Sequence, residues 1–379
     1  MRYTQTIYTK MKPFIPTRLP ELALDWNSLV PLIGRSNRAL AHYGGVLCGV
    51  PNAELLLSPL TTQEAILSAR IEGTQASLSE VLKYEAGVRP TEFTKEMDIK
   101  EILNYRNALN EAEKSLSERP FSLNLVRRLH EILLDSVRGN RLGRGEFRLI
   151  QNWIGKEGTP LDKADFVPPP PLLLQGFLDD WEEYYHSDQP DPLVQLAIIH
   201  AQFEILHPFR DGNGRIGRIL IPLFLFEKKL LSHPTFYLSE WLEENREEYI
   251  HSLRQIGKKE NAWQQWTAFF LIAIEKQAQL NANKATAIMG LYGKLKAQII
   301  ELTHSQFAVP LLDHLFQRPV FQTSDLDLKP APSRPMIANL VRTLHESGII
   351  KAVRESSGRR AAIYGVRELI NTCEGRNVI

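Results

Sequence analysis

The sequence predicts a mainly α-helical protein that ends in a small α+β module. Three observations carry this. Apolar residues recur at helical spacing from about Ser28 to Lys296. One stretch with strand character, 149–167, interrupts them. From Thr303 onward the pattern changes to short helices followed by two strand-like runs. With 379 residues the chain is long enough for two or three domains. We divide it into an N-terminal helical region (1–117), a central region (118–296) and a C-terminal module (303–379). Residues 1–30 are Pro-rich and irregular, and no internal repeat is visible.

Within the N-terminal region, Thr61-Thr62-Gln63-Glu64 reads as a capping box, so a helix is expected from about Thr62 to Glu72, with Gly73 stopping it. Ser77-Leu78-Ser79-Glu80 caps the next helix. The central region carries a candidate β-hairpin: Leu149–Ile154, a loop over Gly155–Lys163, then Ala164–Val167, ended by Pro168–Pro171. Leu193–Leu206 has neither Gly nor Pro, is strongly apolar and reads as a buried helix. Ile216, Ile219, Leu220, Leu223 and Phe224 recur at helical spacing, so a second helix starts near Asn213.

Composition narrows the class. Net charge is +1, which argues against bulk electrostatic attraction to nucleic acid or membrane. Cys48 and Cys373 are the only cysteines, so no disulfide scaffold or zinc cage is implied, and a reducing cytoplasm is the expected compartment. Met1–Gln5 leads into no apolar segment, so no signal peptide is expected. The apolar run at Ile219–Phe226 is too short to span a bilayer.

Between the two central helices lies His207-Pro208-Phe209-Arg210-Asp211-Gly212-Asn213-Gly214-Arg215-Ile216-Gly217-Arg218. A helix start exposes unpaired N–H groups and the positive end of the helix dipole. Gly212 and Gly214 let that backbone approach an anion closely, which makes a diphosphate cradle. Arg215 and Arg218 are three apart on one helix face, and guanidinium groups bind phosphate oxygens in pairs. Asp211 can hold Mg²⁺ that bridges two phosphates. His207 can serve as a general base near neutral pH. Pro208 fixes the turn and Phe209 anchors it.

These residues match the pattern His-Pro-Phe-x-Asp-Gly-Asn-Gly-Arg-x-x-Arg, and the chain thereby resembles the Fic-domain family. The resemblance implies a helical Fic core with a β-hairpin flap, and transfer of AMP from ATP to a Ser, Thr or Tyr hydroxyl of a target protein. His207 would deprotonate the hydroxyl and Asp211 would hold Mg²⁺. Gly212, Asn213, Gly214, Arg215, Ile216, Gly217 and Arg218 would contact the nucleotide, with Arg215 and Arg218 on the β- and γ-phosphates. An intact Gly212 favours AMP transfer over the phosphate transfer of the Doc-like branch; phosphocholine transfer stays open. Ser68-Ala69-Arg70-Ile71-Glu72-Gly73 resembles the family's inhibitory helix, in which Glu72 would pair with Arg218 and leave ATP misaimed. The same Glu72 would support removal of AMP in the reverse reaction. The 149–167 hairpin resembles the flap that takes a target segment by strand addition. Tyr249 resembles a residue at the adenine end of the site. The family also implies homodimerisation.

The tail offers a helix at Val309–Phe316, a short helix or turn at Ser324–Leu326 and a helix at Ser333–Glu346, then strands at Ile349–Glu355 and Ala361–Val366 around Ser356–Arg360. This order resembles a winged helix-turn-helix. Arg334, Asn339 and Arg342 would lie on the exposed face of its third helix, with Arg359 and Arg360 at the wing tip. Two readings remain: contact with DNA, or with protein. Two functions therefore compete for the chain. One is a self-inhibited adenylyltransferase, with other nucleotide donors as a variant. The other is a DNA-binding regulator with a nucleotide-sensing Fic-like part. An intact His207 favours the enzyme, since sensing needs no base.

Overall fold

The computed structural model describes residues 12–19, 22–50, 52–155, 158–259, 261–357 and 360–377. Met1–Gln5, and Arg359 of the expected wing tip, lie outside the described residues. Five helices precede residue 120: α1 (Trp26–Cys48), α2 (Ala53–Leu56), α3 (Ser58–Ile71), α4 (Leu78–Glu85) and α5 (Phe93–Glu118). The central region contributes α6 (Leu123–Leu133), α7 (Pro171–His186), α8 (Pro192–Leu206), α9 (Asn213–Glu227), α10 (Ser239–Glu244) and α11 (Arg246–Gln255). The long α12 (Ala262–Thr303) then runs to the C-terminal unit.

The α8 helix sits at the centre. Asp191 caps it, accepting from the Leu193 and Val194 N–H groups, and Pro192 takes the first turn, where no N–H is needed. Glu204 aside, every residue from Leu193 to Leu206 is buried, as expected of a helix apolar on all faces. Two buried indoles fix its outer side: Trp181 and Trp266 donate to the carbonyls of Ile199 and Ala197. Against α8 pack α7, α9 and α12, and α1 lies along α12.

The expected capping box does not form. The first turn carries Pro59, which is pre-organised for helix, so α3 begins at Ser58 and Thr61–Glu64 fall in its interior. Thr62 donates back to the Ser58 carbonyl, and Glu64 turns inward. By contrast, Ser77 and Glu80 make the reciprocal capping box predicted for α4.

Among the described residues the expected hairpin shrinks to a single antiparallel bridge, Ile154 to Phe166, with a turn of 3-10 helix at Leu161–Lys163 in the loop between them. Side chains take up the backbone partners that a ladder needs. Gln151 donates to Pro168 O, Asn152 to Phe209 O and Trp153 to Thr159 O. Pro160 and Pro168–Pro171 have no N–H to give.

The expected break at 296–303 is continuous helix, because α12 runs through Thr303 and ends with His304 in a left-handed conformation. The C-terminal unit comprises α13 (Ala308–Gln317), β1 (Val320–Gln322), α14 (Arg334–Glu346), β2 (Lys351–Arg354), β3 (Ile363–Gly365) and α15 (Arg367–Glu374). The short helix or turn expected at Ser324–Leu326 is one 3-10 turn at Thr323–Asp325, and α15 was not anticipated. The three strands form an antiparallel sheet in the order β1-β3-β2. Arg334, Asn339, Arg342 and Arg360 are exposed. The unit packs on α12 and also on α2, α3 and α4.

Candidate active site

The turn between α8 and α9 is held from several directions. His207 ends α8 in a left-handed conformation, φ 46°. Such a backbone is unfavourable for a side-chain-bearing residue and needs outside support. Arg148 gives it: its Nε donates to His207 O at 2.9 Å, and its Nη2 donates to Leu206 O at 3.2 Å and Pro169 O at 2.7 Å. A cation on the last carbonyls of a helix also suits the helix dipole. Asn213 closes the loop on itself: its Oδ1 accepts from Phe209 N and its Nδ2 donates to Phe209 O. Phe209 is buried and stacks on His130 at 3.7 Å between ring centres. Since Gly145 N–H donates to His130 Nδ1, the His130 proton sits on Nε2 and is donated to Asp211 O. Burial lowers the His130 pKa to about 4, which keeps this tautomer neutral.

His207 faces a cavity of about 320 Å³. Ile71 and Glu72 of the α3 end, Ile154, Gly155 and Phe166 of the flap, and Glu204 and Ile205 of α8 line it. Gly214 and Arg218 of α9 complete the wall together with Arg246, Tyr249, Ile250, Leu253 and Arg254 of α11. The lining thus combines cationic side chains, the α9 backbone at Gly214 and apolar surface from Ile154, Phe166, Ile250 and Leu253. Burial lowers the His207 pKa to about 4, with Arg148 pushing the same way and the Glu204 carbonyl, Glu72 and Asp211 opposing it. His207 is therefore neutral at physiological pH. Its Nδ1 is buried, close to the Glu204 carbonyl but without a well-formed hydrogen bond. That carbonyl favours the proton on Nδ1, which leaves the Nε2 lone pair free.

Arg218 is almost wholly buried and is occupied by the α3 helix. Its Nε donates to Ser68 Oγ at 2.8 Å, and its Nη2 to Ser68 O at 2.9 Å and Glu72 Oε1 at 2.7 Å. Glu72 is the C-cap of α3, and Gly73 follows at φ 99°, a conformation suited to glycine. Burial raises the Glu72 carboxyl, but the charge and hydrogen bond of Arg218 outweigh it and hold the pKa below the usual range. Gly214 is required here, because a Cβ would collide with Glu72 Oε1. The Arg218 side chain is 1% exposed and that of Glu72 44%, so one half of the pair faces the cavity.

Two family models match the chain. The Fic/DOC family N-terminal model covers residues 30–114 and the Fic/DOC family model residues 120–225, together half of the sequence. The chain belongs to the Fic/DOC family. A probable protein adenylyltransferase of Aquifex aeolicus (strain VF5) is 28% identical over 80% of this chain and 85% of that protein. Protein adenylyltransferase Fic of Drosophila virilis is 29% identical over 41% of this chain, which spans only 29% of the fly protein. Among solved structures, a Fic family protein from Desulfovibrio desulfuricans G20 has a TM-score of 0.57 at 20% identity, covering 93% of this chain and 98% of that one. Fic-1 from C. elegans has a TM-score of 0.53 at 19% identity, covering 70% and 75%. These two establish the fold alone.

Other residues of the Fic signature lie on the far side of the turn. Arg215 pairs with Glu101 of α5 at 3.2 Å and lies 3.6 Å from Asp211 Oδ1. Asp211 Oδ1 also accepts from Gly212 N, and its side chain is 39% exposed. Among the described residues no group of three or more His, Cys, Asp or Glu could cage a metal. A single exposed carboxylate fits Mg²⁺ only in the manner of nucleotide sites, where phosphates and water complete the shell. The Asn213 side chain is committed to Phe209, so only its backbone can line an anion hole. Ile216 is buried in the core, and Gly217 faces Glu204, whose Oε1 a Cβ there would strike.

Tyr249 lines the cavity, and its hydroxyl is tied to His200. His200 Nδ1 must donate to Gly217 O, so His200 Nε2 accepts from the Tyr249 hydroxyl at 2.9 Å. Ile250 and Leu253, on the same helix, offer the apolar surface. Sequence reading missed Arg148, His130, Asn152, His200 and Glu204. Only His200 and Glu204 carried a local signal, as polar residues in an otherwise apolar helix.

Proposed function

We propose that the protein transfers AMP from ATP to a hydroxyl side chain of target proteins and of itself, and that α3 restrains it. The observation that carries this reading is the grip of Ser68 and Glu72 on Arg218 beside a neutral His207. A triphosphate bound in the cavity lays its α- and β-phosphates against the N–H groups at the α9 start, and its γ-phosphate needs Arg218. While Glu72 holds Arg218, the γ-phosphate lacks its anchor and the α-phosphate is poorly aimed. Once Glu72 leaves, His207 Nε2 takes the proton of the incoming hydroxyl, the oxygen attacks the α-phosphorus, and pyrophosphate departs. Asp211 would hold Mg²⁺, which neutralises the departing charge. Arg215, fixed by Glu101, would clamp the β-phosphate. Glu72 would position a water for the reverse reaction. The target segment would lie along the flap, whose Leu149, Ile150 and Trp153 are exposed beside the cavity.

Purified wild type, Glu72→Gly and His207→Ala are incubated with Mg²⁺ and ATP and read by intact mass spectrometry. The expected result is a gain of one AMP that is larger in Glu72→Gly than in wild type and absent when Glu72→Gly is combined with His207→Ala. An adduct that persists without His207 would overturn its assignment as base. Equal labelling of wild type and Glu72→Gly would overturn the restraint.

The C-terminal unit supports a second activity. The exposed Arg334, Asn339 and Arg342 on one face of α14 suit contact with DNA backbone and bases. Binding to duplex at physiological salt tests this, and a protein partner is the other reading.

A further inference from the structure

Glu204 is a buried-edge carboxylate that the transfer chemistry above does not use. It lies one helical turn before His207 on α8, so both side chains fall on one face. It lines the same cavity, and its Oε1 is buried without a hydrogen-bond partner. Gly217 opposite has no side chain, and any Cβ there would strike that oxygen. The pocket therefore keeps room for a carboxylate that no protein donor satisfies. With Oε1 sealed against Gly217 without a donor, the carboxylate gains from any donor a ligand brings to its other oxygen.

The chemistry of the lining says which donors. His207 and Gly214 mark the α-phosphate, and Ile250, Leu253, Ile154 and Phe166 form the apolar surface suited to a flat base. In a nucleotide, the sugar is what separates those two parts. Glu204 lines the same cavity one helical turn from His207, which puts it within a sugar's length of that phosphate. We propose that Glu204 accepts hydrogen bonds from the ribose hydroxyls of the bound nucleotide and makes the site selective for ribonucleotides. Acidic side chains accept from ribose hydroxyls in the same way in dinucleotide sites. Burial raises the Glu204 pKa to about 7, with Arg218 pulling it down and Glu72 pushing it up, which agrees with a carboxylate short of donors.

The inference rests on the nucleotide reading, and the test separates the two. The full-length Glu72→Gly protein is titrated calorimetrically with Mg²⁺ and ATP, 2′-deoxyATP or 2′,3′-dideoxyATP. ATP should bind about tenfold more tightly than the dideoxy compound, as expected for hydrogen bonds to a charged acceptor. Adding Glu204→Ala should bring ATP down to the affinity of the dideoxy compound and leave the latter within about twofold. Glu204→Gln, close in shape, should lie between. Equal weakening of both nucleotides, or no preference for ATP in the parent, overturns the assignment. If the parent shows no ribose preference yet still transfers AMP through His207, only the Glu204 inference falls. If no nucleotide binds, the reading beneath it falls too.

Discussion

At the scale of residues, His207 shows how one environment sets chemistry. An ordinary histidine titrates near 6.5, and burial takes this one to about 4. A base that is neutral from pH 5 to 8 loses no competence as the solution acidifies across that range. In the Glu72→Gly variant the transfer rate should therefore lack a step near pH 6.5 and fall only toward pH 4. Glu72 is among the groups that raise the His207 pKa, so its removal moves the fall lower still. A half-point at 6.5 in the pH-rate profile would mean a solvated ring. The same sign applies to stability. His130, His200 and His207 all have lowered pKa values, so the stability they contribute is present above pH 6.5 and is lost as pH falls toward their folded values. The run from His207 to Arg218 was legible in sequence because its parts are neighbours in the chain. Arg148 was not, because what makes it a cap is the arrival of Leu206 and His207 from 58 and 59 residues away.

At the scale of elements, the α3 helix and the flap show where local pattern yields to tertiary partners. Thr61–Glu64 has the letters of a capping box, yet Glu64 is used inside the fold. It accepts from Ser239 N at 3.1 Å, Ser239 Oγ at 2.5 Å and Tyr105 hydroxyl at 3.2 Å. Three donors on a buried carboxyl join α3 to α10 and α5, and nothing in the local sequence announces them. The helix and its stop at Gly73 were predicted within a few residues; its anchor was not. Glu64→Ala removes the acceptor and leaves the buried Ser239 N–H and Tyr105 hydroxyl without it. A loss of about 1–3 kcal/mol is expected from the unsatisfied group, read by chemical denaturation. Because Glu64 lies one helical turn before Ser68, a loosened anchor should also raise AMP labelling in the otherwise wild-type chain. Lower stability with unchanged labelling would show that Ser68 and Glu72 hold Arg218 without help from this end of α3. In the flap, strand-like letters gave one bridge, because Gln151 and Asn152 bond to loop carbonyls instead of leaving the backbone free to pair.

At the scale of the whole molecule, the α3 helix is held from two sides. Toward the site it packs on α5, α9 and α10; away from it, α13 and α15 of the C-terminal unit pack on it. The unit is also joined to the next helix, since Gln322 donates to Ala86 O at 2.6 Å beyond the end of α4. The continuous α12 ties the two regions together, with Ile288, Leu291, Leu295 and Ile299 buried along its C-terminal half. Composition announced the change of character at Thr303, but not that the tail folds back onto the restraining helix, since that depends on which faces of α12 and α15 meet. Under the proposed restraint, this packing makes the hold on Arg218 depend on a unit far from the chemistry. Leu312→Ala in α13 and Leu369→Ala in α15 each remove a fully buried side chain. Each should lower stability by about 2–5 kcal/mol. Labelling is then measured well below the melting temperature, where the protein stays folded. If the C-terminal unit holds α3 in place, both variants label more than wild type, and the excess disappears in the Glu72→Gly background, where nothing is left to release. An excess that survives in that background would come from general loosening of the site. A stability loss with no change in labelling would mean that α3 is held from the Fic side alone, and that whatever binds α14 does not act through Arg218.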